Sequence, residues 1–116
     1  MKRDEVLNFA SGRELDKLAA GKVMRWTSLG EIVEGIETDL IGVDPSSYPA
    51  QDVVPRYSTE ISAAFLIWDY MIFQSNQGLY LHFKNNLAEL MGNQIYPSWH
   101  MAKIITISAL LAVMDL

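Results

Sequence analysis

The 116-residue chain contains no cysteine, which excludes a disulfide framework and a thiolate metal site and removes one argument for secretion. Histidine is nearly absent too. His82 and His100 stand alone, with no histidine or carboxylate partner at metal-ligand spacing, so neither a metal nor a cofactor is expected. Basic residues are few and scattered: nine Lys and Arg against fourteen Asp and Glu give a net charge of −5. Such a surface repels a nucleic-acid backbone, so nucleic acid is not an expected partner. A long apolar run is also missing. Ile104 to Met114 covers eleven residues, whereas a membrane-spanning helix needs about 20. The N-terminus is charged and lacks the apolar stretch of a secretory leader. A cytoplasmic protein with no membrane partner is the expectation.

The chain has enough apolar residues, half of the total, to build one ordinary core, so residues 1–116 are expected to form a single domain. Asp4 is placed to cap a short helix through Phe9. Ser11-Gly12-Arg13-Glu14 matches a capping box opening a second helix. In that helix Leu15, Leu18, Ala19, Val23 and Trp26 face inward, and Arg13, Asp16, Lys17 and Gly21 fall mainly elsewhere. From Thr27 to Pro55 there are six acids and no base. Gly30, Gly35, Gly42, Pro45 and Pro49 break this stretch, which predicts a solvated acidic loop with one or two strands, seeded at Ile32-Val33 and Leu40-Ile41.

A third helix is predicted to start after Tyr57, with Ile61, Ala64, Phe65, Trp68, Met71 and Ile72 on its core face. Leu79 to Phe83 and Leu87 to Met91 flank Lys84-Asn85-Asn86. This pattern predicts two antiparallel strands joined by a tight turn. Trp99 through Met114 then form a last helix, apolar nearly all round. The order predicts an α+β domain with four helices covering a short antiparallel sheet that includes a hairpin.

The candidate ligand site lies at Val54-Pro55-Arg56-Tyr57-Ser58-Thr59. First-turn N–H groups of a helix lack intrahelical partners and attract anions, and Arg56 adds a guanidinium fork. The simpler reading makes Ser58 the N-cap and Tyr57 a packed residue before it. Trp26 and Trp99, at helix ends, are candidates to stack on a base, with Arg25 and His100 beside them. No nucleophile-elbow glycines surround Ser58, Ser62 or Ser108, so a non-enzymatic protein is expected. The apolar C-terminal helix is a candidate interface for a homo-oligomer.

Four blocks occur in order: Gly12-Arg13-Glu14-Leu15-Asp16, Lys22-Val23-Met24-Arg25-Trp26, Tyr57-Ser58-Thr59-Glu60-Ile61-Ser62-Ala63-Ala64 and Ala109-Leu110-Leu111-Ala112-Val113. In these the chain resembles the phage ABA-sandwich domain family, small phage and prophage proteins mostly without an assigned activity. The resemblance implies an α/β/α sandwich. It does not extend to the acidic segment Glu31 to Asp52, and Arg25 stands where the family often has a small residue or glycine. By analogy with other small phage proteins, the expectation is a sponge that sequesters a small anionic nucleotide signal of bacterial immunity, of the CBASS or Thoeris type, in the cytoplasm of an infected host. The alternative is a protein-binding module that blocks a host protein through residues 31–52.

Overall fold

The computed structural model describes residues 1–34, 37–45 and 51–116. Gly35 and Pro49, two of the expected breakers, lie outside the described residues. The fold is α+β, and the described residues form five helices and one three-stranded antiparallel sheet: α1 (Arg3–Leu7), α2 (Arg13–Lys22), β1 (Thr27–Glu34), β2 (Glu37–Val43), β3 (Gln51–Val53), α3 (Ile61–Phe73), α4 (Gln77–Met91) and α5 (Ser98–Val113).

Helix α5 is the centre of the fold. Every residue from Ile104 to Ala112 is buried, because α3 and α4 pack along it and α1 and α2 touch it as well. An almost uncharged helix is stable in water only when covered in this way. Between Ile104 and Ala112 its apolar surface is covered within the chain, whereas Trp99 in its first turn is exposed. Thr106 is tolerated in the core because its hydroxyl bonds the carbonyls of Tyr57 and Ala102, both at 2.9 Å.

The expected hairpin at residues 79–91 is instead α4. Asn76 caps it by accepting the Leu79 N–H at 2.8 Å. Leu79, Phe83, Leu87 and Leu90 then recur at helical spacing toward the core. The asparagines that resemble a turn sit mid-helix: Asn85 faces outward, and buried Asn86 donates to the Ser108 carbonyl at 3.2 Å. That bond offsets the cost of burying an amide, which reads from sequence as a breaker.

The sheet lies in the acidic segment that was expected to be mostly loop. Ile32-Val33 and Leu40-Ile41 fall in β1 and β2, which pair antiparallel with Glu34 opposite Glu37. β3 adds to β2 with Val53 opposite Ile41. One extra β1 residue is accommodated between Thr27 and Gly30, where Ser28 adopts φ +52°. Gly42 lets the bulge close. A Cβ there would stand 2.8 Å from Leu29 Cδ2 and 3.1 Å from the Trp26 ring.

Helix starts also differ from expectation. α1 begins at Arg3, with the Glu5 carboxylate accepting the Lys2 N–H at 3.3 Å. α2 is capped by Gly12 at φ +146°, not by a Ser11–Glu14 box. α3 starts at Ile61 behind an extended Glu60 that makes no side-chain cap. Its buried residues are Ala63, Ala64, Ile67 and Met71. Phe65 and Ile72, expected in the core, are exposed.

Candidate functional site

Gly12-Arg13-Glu14-Leu15-Asp16 and Tyr57-Ser58-Thr59 meet in space around one buried carboxylate. Asp16, expected off the inward face, is 1 % exposed and Ser58 fully buried. Asp16 Oδ1 accepts the Ser58 N–H at 2.8 Å and the Ser58 hydroxyl at 2.7 Å. Its Oδ2 accepts from Arg13 at 2.9 Å. Ser58 Oγ in turn accepts the Gly12 N–H at 2.9 Å, from 46 residues away. Arg13 continues to Asp39 at 2.9 Å and to the Val54 carbonyl at 2.8 Å. The network ties α2 to β2 and to the approach to α3.

This changes the meaning of residues 56–59. The Ser58 amide is occupied by Asp16, and the Thr59 and Glu60 amides bond the Arg56 carbonyl at 3.2 and 2.9 Å. None of the three is left for an external anion. The anion that Ser58 binds is the chain's own Asp16. Thr59 is exposed. Arg56 reaches a small charged crevice of about 100 Å³ with Arg13, Lys17, Glu31 and Asp39. There the Leu40 N–H and the nearby guanidinium groups of Arg13 and Arg56 lower the pKa of Asp39, against a smaller opposing effect of desolvation.

A larger cleft of about 630 Å³ opens beside α3, within the usual range for a small-molecule site of ~300–1,000 Å³. One wall is the α3 flank, with Leu66, Asp69, Tyr70 and Phe73, followed by Gln74. The other is built from Met24 and Arg25 after α2, Asp44 and Pro45 after β2, and Pro55 with Tyr57. Burial raises the pKa of the Tyr57 phenol, with smaller contributions from the charges of Asp44 and Asp16 and a small opposing effect from its hydrogen bond with Trp26. The phenol therefore remains a neutral hydrogen-bonding group throughout the physiological range. Arg25 is exposed and held at φ +62°, a conformation that disfavours any side chain with a Cβ. Among the described residues its guanidinium has no hydrogen-bond or ion-pair partner.

Of the residues expected to bind ligand, the cleft thus brings together Arg25 and Tyr57, while Trp26 is buried and does not line it. Trp99 and His100 line none of these cavities. The His100 ring lies between two others, with centroids 5.5 Å from Trp99 and 4.6 Å from Tyr96, and Trp99 itself is exposed. Leu66, Asp69, Tyr70 and Phe73 were missed. Their signal was present, since α3 carries a second apolar stripe at Leu66 and Phe73 beside the one facing the core.

Among the described residues there is no group of His, Asp and Glu able to hold a metal ion, and no helix long and apolar enough to cross a membrane. Comparison with family models, curated proteins and solved structures finds no match to this chain.

Proposed function

We propose that this is a non-enzymatic binding protein that sequesters a small nucleotide-derived signal. The observation that carries this reading is the cleft of about 630 Å³ in which a conformationally strained Arg25, without a partner among the described residues, faces an apolar and aromatic α3 flank. Backbone strain retained at a ligand-facing residue is a recurring mark of binding sites. A guanidinium pairs with phosphate as a fork, and aromatic rings such as Tyr70 and Phe73 offer faces on which a base stacks. The cleft therefore takes over the ligand role first expected at residues 56–59.

The resemblance of the Gly12–Asp16 and Tyr57–Ala64 blocks to phage ABA-sandwich proteins motivates the biological setting. In this reading the domain is an α/β/α sandwich made by a phage in the cytoplasm of its host, and it traps an immune nucleotide of the CBASS or Thoeris type. An effective sponge competes with the host receptor, which calls for nanomolar binding, about −12 kcal/mol.

The test is a thermal-shift panel of cyclic dinucleotides, cyclic oligonucleotides and cyclic ADP-ribose isomers, followed by heat release and mass analysis of any ligand. A large shift with the ligand recovered intact, reduced in Arg25→Ala, supports the reading. Recovery of a chemically altered ligand means an enzyme. No shift with any compound rejects it and moves weight to the alternative of a protein-binding module acting through residues 31–52. That alternative predicts salt-sensitive capture, because exposed charges are screened within about 8 Å at physiological salt.

A further inference from the structure

We infer, resting on the reading of the cleft as a nucleotide site, that its ligand carries both a phosphate and a free ribose 2′,3′-diol. The cleft is bipolar. Arg25 lies on one wall and Asp69 on the other, and the two do not form an ion pair with each other. Asp69 is exposed on the outer face of α3 and, like Arg25, has no hydrogen-bond or ion-pair partner among the described residues.

An ionised carboxylate only accepts hydrogen bonds, so the ligand must present donors to it. A vicinal diol offers two O–H groups from one rigid ring, and a carboxylate on ribose hydroxyls is a recurring arrangement in nucleotide sites. A phosphate at the same point is repelled. The phosphate is held at the Arg25 end, away from Asp69. Leu66, Tyr70 and Phe73 supply an apolar stretch for the base. A 3′,5′-linked cyclic dinucleotide lacks the free diol, so the cleft selects against it.

The experiment is calorimetric titration of the full chain with ADP and with 2′,3′-dideoxy-ADP. A hydrogen bond to a charged group changes affinity by roughly tenfold to a hundredfold, so the dideoxy compound should bind at least about tenfold more weakly. Asp69→Asn should bind ADP more weakly and lose the discrimination, while Arg25→Ala should weaken both ligands and keep it. Binding of both nucleotides within about twofold overturns the diol inference and leaves the nucleotide reading standing. So does a cyclic dinucleotide that binds where ADP does not. Failure of every nucleotide, with the melting curve unchanged, removes the underlying reading as well.

Discussion

Replacing Asp16 by alanine tests whether the sequence blocks around it hold the fold or bind a ligand. The side chain is 1 % exposed and accepts three hydrogen bonds at 2.7–2.9 Å, from the Ser58 N–H, the Ser58 hydroxyl and Arg13. Each hydrogen bond to a charged group contributes roughly 1.5–3 kcal/mol, but the three are coupled and do not add. Removing one partner of a buried ion pair costs about 3–5 kcal/mol, because the orphaned partners stay desolvated. We take that range for Asp16→Ala. A domain of this length has a total stability on the order of 6–17 kcal/mol, so the variant should fold but melt roughly 10–20 °C lower. Asp16→Asn keeps an oxygen for the Ser58 N–H and should lose about half as much. The assay is urea unfolding followed by circular dichroism, with Ser58→Ala and the double variant closing a cycle. A loss below about 1 kcal/mol for Asp16→Ala, or a Ser58 coupling near zero, refutes the reasoning.

Gly42→Ala places a Cβ 2.8 Å from Leu29 Cδ2 and 3.2 Å from the Thr27 carbonyl, and should cost about 1–3 kcal/mol in the same unfolding assay. Arg25→Gly relieves the backbone at φ +62°. It should leave stability unchanged or raise it by up to about 1 kcal/mol, because relief of strain outweighs the added unfolded-state entropy, while a β-branched Arg25→Val lowers it. Asp39 has its pKa lowered in the folded state, so its contribution is fully present above the ordinary aspartate value of about 3.9 and fades as pH falls through the lower folded value. Asp39→Asn should therefore flatten the loss of stability below about pH 4 in acid unfolding curves, and an unchanged acid limb would contradict this assignment.

The central helix was legible in the sequence because an uncharged stretch such as Ile104 to Ala112 has few alternatives to burial. The core face of α3 was only half legible. Its residues are apolar around most of the circumference, so Phe65 and Ile72 fit one stripe as well as Ile67 fits another, and packing against α5 decides between them. For α4, Leu79 to Phe83 alternates like a strand over five residues, a length at which helix and strand periods are hard to separate. The Asn86–Ser108 bond that settles it spans 22 residues and leaves no local trace. Tyr57 and Arg25 were visible as candidates, but their meeting with Leu66 and Phe73 depends on the path of three separate segments into one cleft. Ser58 illustrates the reverse. Its local pattern signals an anion at a helix start, and the fold supplies that anion internally as Asp16.

Whether the cleft beside α3 binds a nucleotide is tested by amide chemical-shift mapping by NMR while ADP-ribose is titrated into the protein. Saturable shifts should concentrate at Met24, Arg25, Leu66, Tyr70 and Phe73 around the cleft, with the buried Ser58 amide little changed. Shifts centred on Ser58 to Glu60 or on Trp99 and His100, with the cleft unaffected, would contradict it.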